Sequence, residues 1–123
     1  MSGKDLVRRL IDEVINGGDL GLLDDLYTPP MARAARRWIE PFLASFSDVD
    51  MEIVELIGEG ERVVGRFRCS GTHTGEWNGH APTGRRFERI DEVYFFTAAK
   101  GRITAAWGLE DAARRRQQLG LGP

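Results

Sequence analysis

The chain has 123 residues, of which 29% are charged and 41% hydrophobic, and its formal net charge is −2. This length predicts one domain over residues 1–123. Because 19 Asp and Glu outnumber 17 Lys and Arg, and the basic residues form only short clusters, we expect no nucleic-acid partner. The sequence has no apolar run near the roughly 18 residues of a membrane span and no signal-peptide pattern, so no membrane partner is expected.

Cysteine usage and motif content limit the chemistry further. Cys69 is the single cysteine, so an intrachain disulfide is excluded, and no Cys/His pattern has metal-binding spacing. The sequence contains no phosphate-binding loop, dinucleotide fingerprint or nucleophile elbow. These features predict a cytoplasmic protein without metal or cofactor, in which any chemistry is acid–base work by side chains.

Helical spacing governs the first part of the chain. A helix is predicted over 2–16, where Ser2 and Asp5 have the spacing of a cap. Two glycines end this helix, and a short second helix follows, ended by two prolines. The apolar stripe of a third helix runs over 31–46, and Pro41 is expected to kink or break it. The first two helices are expected to form a hairpin.

After residue 48 the apolar spacing changes to alternation, which predicts strands and then one more helix. The strands are predicted at 51–56, 61–74, 86–98 and 102–109, and the helix at 111–118. This order indicates an α+β fold in which helices cover one face of a single antiparallel sheet. Glycines inside the second strand predict strong curvature, so the sheet and helices should enclose a cone with an interior.

The fourth strand points to a candidate base. Ile103, Trp107 and Leu109 alternate to one face, and the same alternation places Asp111 at the mouth of the apolar interior. A carboxylate beside an indole in such a place can have the raised pKa that a general base requires. The alternative is that Asp111 caps the last helix, and the two roles are compatible.

His73 follows the apolar face of the second strand, on the same side as Phe67 and Cys69. It is the best candidate for proton transfer or for donation to a substrate oxygen, since imidazole titrates near neutrality. The alternative is a structural histidine that holds the loop 75–84 by hydrogen bonds. His80, inside that loop, is expected to face solvent.

The third strand does not alternate cleanly. One register turns Asp91 inward, and the other turns Glu92 and Tyr94 inward. The first is weakly favoured, because Glu92 would then face Arg66 and Arg68 across the strands. A bulge that switches sides and leaves no buried acid is a further alternative. Asp91 and Tyr94 are both candidates for ligand contact.

Large aromatic side chains are candidates for the wall of a cavity that binds an aromatic or polycyclic ligand. They are Trp38, Phe42, Phe67, Trp77 and Trp107. For each of them the alternative is a place in the core without ligand contact.

Three segments, GTHTGEWNGHAPTGRRFE, GRITAAWGLED and QQLGLGP, resemble the SnoaL-like polyketide cyclase family of the ketosteroid-isomerase and nuclear-transport-factor-2-like superfamily. The earlier segments INGGDLGLLDDLYTPP and SFSDVDMEIVEL also fit, so the resemblance covers nearly the whole chain. It implies a cone-shaped fold, a homodimer formed through the sheet, and an enclosed cavity for a small hydrophobic polyketide or polycyclic ligand.

The resemblance also implies a reaction. Cyclases of the family close a ring by intramolecular aldol condensation, without metal or cofactor, using an aspartate after the last strand as base. Asp111, four residues after Trp107, matches that position, and His73 and the aromatic wall would position the ligand. The leading hypothesis is therefore a cyclase of secondary metabolism such as antibiotic biosynthesis. The alternatives are an epoxide hydrolase or hydroxylation-assisting protein, and a non-catalytic ligand-binding or dimerisation module.

Overall fold

A computed structural model describes residues 2–122 of the chain. The three N-terminal helices and the C-terminal helix are α1 (Gly3–Arg9), α2 (Leu23–Leu26), α3 (Pro29–Ser45) and α4 (Ala112–Gln118). Helix α1 continues as a π-helical segment, Leu10–Ile15, and a 3₁₀ turn, Leu20–Leu22, precedes α2. The four strands are β1 (Asp50–Glu59), β2 (Arg62–Thr72), β3 (Arg86–Ala99) and β4 (Arg102–Glu110). They form one antiparallel sheet in the order β1-β2-β3-β4, which confirms the predicted α+β architecture.

Local sequence signals explain most of the helix boundaries. Ser2 and Asp5 form the predicted capping box, each side chain accepting the other's backbone N–H at 3.2 Å. Helix α3 begins two residues before the predicted start, because its first turn accepts prolines that have no N–H to donate. It also continues through Pro41 instead of breaking there. The end of the π-helical segment is held against β1, because the side chain of Asn16 forms two hydrogen bonds with the backbone of Met51.

The core lies between the helices and the inner face of the curved sheet. The predicted inner face of β2 is confirmed, since Val63, Phe67 and Cys69 are at most 3% exposed. Gly65 lies on that face between them, where an added Cβ would collide with the ring of Phe67. The glycine therefore leaves room for an aromatic ring to lie along the strand.

Strand β3 adopts the register that the sequence favoured less. Ile90, Glu92, Tyr94 and Phe96 turn inward, whereas Asp91 lies on the outer face. The expected inward orientation of Asp91 was therefore wrong. The arginines on the outer face of β2 form ion pairs with Asp91, whose carboxylate lies 3.1 Å from Arg66 and 3.6 Å from Arg68. A bulge does occur near Arg89, where φ is 53°, but it leaves Glu92 buried.

A second bulge changes the faces of β4. Thr97 pairs with Ala105 and Ala98 with Ile103, so Thr104 is the extra residue. Such a residue reverses the sides of everything beyond it. Ile103 is buried as expected, but Trp107 and Leu109 are 60% and 66% exposed on the outer face, so their expected inward orientation was wrong.

Candidate functional site

A cavity of about 730 Å³ lies between α3, the loop after β2 and the inner face of the sheet. This volume is within the range of small-molecule sites. Its apolar wall includes Trp38, Phe42, Met51, Trp77 and Tyr94. Four of these, Trp38, Phe42, Trp77 and Tyr94, are residues that the sequence analysis proposed for ligand contact.

Tyr94 takes its place in the wall because of the residue opposite it. Gly108 pairs with Tyr94 across β3 and β4, and any Cβ at Gly108 would collide with the tyrosine ring. The ring therefore lies over the glycine, between the sheet and Trp38, whose ring stacks on it with centroids 6.3 Å apart. The hydroxyl of Tyr94 then reaches the polar end of the cavity.

That polar end is built around Glu92, which is 2% exposed and lines the cavity. The Tyr94 hydroxyl donates a hydrogen bond to Glu92 Oε1 over 2.6 Å, and Arg115 Nη2 donates one to Oε2 over 2.9 Å. Glu110, which pairs with Glu92 across the strands, places Oε2 2.9 Å from Arg115 Nη1. The last contact is an ion pair.

The environment changes the proton affinity of Glu92. Burial raises the pKa of its carboxyl above the ordinary value, and the nearby charge of Glu110 adds to the increase. The Arg115 charge and the Tyr94 hydrogen bond act to lower the pKa of Glu92 and so favour its deprotonated form. Burial also raises the pKa of Tyr94, with Glu92 as the second cause, so the phenol stays a neutral donor. A carboxyl poised in this way suits proton transfer.

Arg115 comes from α4 and is completely buried. Its guanidinium lies over two rings, with 4.7 Å to the centroid of Phe87 and 5.3 Å to that of Phe42. Burial acts against its charge, but Glu110 and Glu92 outweigh this effect, so the pKa of Arg115 is raised. The cluster of Glu92, Glu110 and Arg115 therefore carries one positive group between two carboxyls.

A family model described as SnoaL-like polyketide cyclase matches residues 5–119. The chain belongs to the SnoaL-like polyketide cyclase family. A search of curated protein sequences gives no significant match.

Solved structures agree with this family membership at the level of the fold. TsrD from Streptomyces laurentii is 24% identical with a TM-score of 0.83, covering 95% of this chain and 93% of its own. IdmH from Streptomyces antibioticus is 24% identical with a TM-score of 0.82, covering 98% and 100%. A SnoaL-like polyketide cyclase from Agrobacterium tumefaciens is 19% identical with a TM-score of 0.79, covering 98% and 99%. The sheet and helices thus have the architecture of the family.

Two general features of the described chain bear on the site of this family member. Residues 2–122 contain no group of three or more His, Cys, Asp or Glu side chains arranged to hold a metal ion. Within the same residues, no helix is long and apolar enough to cross a membrane.

Asp111, at the position that the family resemblance singles out as a base, caps helix α4. Its Oδ1 accepts a hydrogen bond from the backbone N–H of Arg114 over 3.1 Å, and the residue is exposed. Among the described residues it does not line the cavity, because the bulge at Thr104 turns Glu110 inward and Asp111 away. The capping alternative is therefore realised, and the role of Asp111 as base stays a prediction.

His73 is completely buried behind the cavity wall. Its Nδ1 accepts a hydrogen bond from the backbone N–H of Thr83 over 3.2 Å. Its ring packs against Phe46 and against Trp77, whose centroid is 6.4 Å away. The histidine thus supports Trp77 and closes the loop 75–84, as its structural alternative describes, and its catalytic role stays a prediction.

Two other predicted contact residues lie away from the cavity. Phe67 is buried beneath Tyr94, with ring centroids 5.9 Å apart. Trp107 packs on the outer face against Phe95 at 5.8 Å. Among the described residues, neither these two nor Asp91 lines the cavity.

Sequence reasoning overlooked Arg115 and Glu110 and treated Glu92 only as an alternative. The run of three arginines in the last helix was considered only as one of the short basic clusters. A signal was nevertheless present, because Arg115 precedes the apolar Leu119 by four residues, and helical spacing puts both on one side. Both side chains are in fact buried.

Proposed function

We propose that this protein is a cofactor-independent, cyclase-like enzyme that acts on a small hydrophobic polyketide or polycyclic ketone by acid–base catalysis. The observation that carries the proposal is the buried carboxyl of Glu92 at the polar end of an aromatic cavity. Membership of the family supports the reaction class. The geometry supports Glu92 as base, whereas Asp111 is exposed and occupied as a helix cap.

The proposed reaction begins with proton removal. The Glu92 carboxylate takes a proton from the carbon next to a substrate carbonyl, and the C–H electron pair forms the enolate. Once Glu92 is protonated it no longer requires the Tyr94 hydrogen bond, so the phenol can donate to the enolate oxygen. The fixed positive charge of Arg115 beneath the carboxyl limits the negative charge of the site.

Ring closure follows without any added reagent. The enolate carbon attacks a second carbonyl of the same molecule and forms the new C–C bond. The resulting alkoxide takes the proton back from Glu92, which restores the starting carboxylate. The apolar wall lowers the polarity around the reacting atoms, which strengthens these electrostatic interactions.

A generic ketone tests the first step without knowledge of the natural substrate. We would follow proton–deuterium exchange at the acidic CH₂ of 2-tetralone in D₂O by NMR, and ring closure of 2,6-heptanedione. The Glu92→Gln protein should lose exchange down to the background rate, whereas Asp111→Asn should keep it. Circular dichroism would establish that both variants fold.

The opposite results are equally informative. Full exchange by Glu92→Gln rejects Glu92 as base, and loss in Asp111→Asn alone transfers that role to Asp111. Tight binding of the ketone by the natural protein without any exchange would instead support the non-catalytic binding module.

We also propose a homodimer formed through the outer face of the sheet. Ile57, Val64, Phe95 and Trp107 pair in one row that crosses all four strands. Ile57 and Trp107 are 59% and 60% exposed, so this face offers a continuous apolar surface. Contiguous apolar surface of this kind usually marks an interface.

The proposed setting is the reducing cytoplasm and a pathway of secondary metabolism such as antibiotic biosynthesis. The free, buried thiol of Cys69 is compatible with that compartment. The pathway class rests on the family alone.

A further inference from the structure

A second, smaller cavity of about 270 Å³ adjoins the main one, and we refer to it as the annex. Both cavities are lined by Ile15, Trp38, Met51 and Tyr94. The stacked rings of Trp38 and Tyr94 therefore stand where the two spaces meet. A ligand in the main cavity that extended past these rings would lie in the annex.

The lining of the annex is apolar and uncharged. Its residues include Leu10, Ile11, Met31, Ala34, Phe96 and Ala106, and none of those described is Asp, Glu, Lys or Arg. The Tyr94 hydroxyl is hydrogen-bonded to Glu92, so only the ring of Tyr94 faces the annex. Burial raises the pKa of Tyr27, the other phenol of the lining, which keeps it neutral. The annex thus suits hydrocarbon and opposes charge.

Small side chains keep this space open. Ala106 pairs with the buried Phe96 and therefore faces the interior, yet the residue is exposed. The reason is that it borders the annex, with Ala34 of α3 also in the lining. A larger residue at either position would fill the space.

We infer that the annex is a subsite for an alkyl chain of the ligand, whose carbonyl end lies in the main cavity beside Glu92. The inference rests on the proposed function for the position of the carbonyl, and it specifies the substrate as an elongated ketone with an apolar chain. The two compartments then recognise two chemically different ends of one molecule.

A homologous series of methyl ketones, from 2-pentanone to 2-undecanone, tests the inference by calorimetric binding to the natural protein and its variants. Each methylene that enters the annex should strengthen binding about fourfold. Ala106→Leu and Ala34→Leu should each weaken binding of 2-undecanone about tenfold or more, with little change for 2-pentanone. Ala105→Leu, one residue away on the outer face, is the matched control and should bind the whole series normally.

NMR provides a readout that does not depend on the variants folding. In the natural protein, the terminal methyl group of bound 2-undecanone should show nuclear Overhauser effects to the methyl groups of Ala106 and Met31. Their absence, or a Kd independent of chain length, overturns the subsite. Such a result leaves the proposed function standing, because that depends on deuterium exchange by the Glu92 variant and not on chain length.

Discussion

Arg115 and Glu92, from the last helix and the third strand, are joined by a hydrogen bond of 2.9 Å between side chains that are at most 2% exposed. This pair makes it possible to keep a carboxyl at the end of an apolar cavity, since an unpaired buried charge is very costly. The pair also connects α4 to the carboxyl proposed as base, because Arg115 is the buried residue of that helix.

The pH dependence of catalysis should report the environment of Glu92. Its pKa is raised by burial from the ordinary 4.5, and the base acts in its deprotonated form. The exchange rate of 2-tetralone should therefore rise with pH, with a midpoint above 4.5. Rates measured from acid to neutral pH test this, and Glu92→Gln should remove the rise. A midpoint at or below the ordinary value would contradict the prediction.

Replacing Arg115 by Met should destabilise the protein by about 3–5 kcal/mol, because two carboxyls would lose their buried cation. Urea unfolding measures the loss. Arg114→Met is the matched control, since its exposed side chain lies on the same helix and should change stability by less than about 0.5 kcal/mol. Adding Glu92→Gln to Arg115→Met should recover part of the loss. A cost equal to that of the control would show that the pair contributes nothing.

Asp111 can be tested as a cap independently of its proposed chemistry. Asp111→Ala removes the acceptor for the Arg114 N–H and should cost about 1 kcal/mol, whereas Asp111→Asn should cost little because asparagine also caps helices. Thermal unfolding of both variants gives the comparison. Exchange rates per folded molecule should match the natural protein. A large rate loss in a stable Asp111→Asn protein would favour Asp111 as the base.

His73→Leu should act on the loop more than on the chemistry. It removes the acceptor of the Thr83 N–H, a part-buried hydrogen bond, at a cost of about 0.5–1.5 kcal/mol. Hydrogen exchange should show faster exchange of the Thr83 amide, and KM should increase more than kcat falls. His80→Leu, in the same loop, is the control and should leave both unchanged. A loss of kcat with unchanged KM would instead support a catalytic histidine.

The proposed dimer depends on the row of apolar residues across the outer face. Trp107→Glu places a charge at the β4 end of that row and should convert the dimer to monomers in sedimentation experiments, since tryptophans commonly dominate interfaces. Ala112→Glu, an exposed change on α4, should leave the dimer intact. A natural protein that sediments as a monomer would remove the proposal at once.

The sequence by itself determined the order of the elements, the inner face of β2 and the cap formed by Ser2 and Asp5. Each of these follows from local spacing, because a period of 3.6 or of 2 decides which side chains share a face. The family resemblance, which residues 71–88 and 101–111 carried, also came from the sequence.

Tertiary structure decided which carboxyl enters the cavity. One extra residue at Thr104 reverses β4, and a left-handed residue at Arg89 accompanies the bulge in β3, so alternation beyond these points cannot be extrapolated. The burial of Arg115 likewise depends on Glu92 and Glu110, two partners from strands that are distant in sequence. An arginine is buried only where such partners are already assembled, and that is a property of the folded chain.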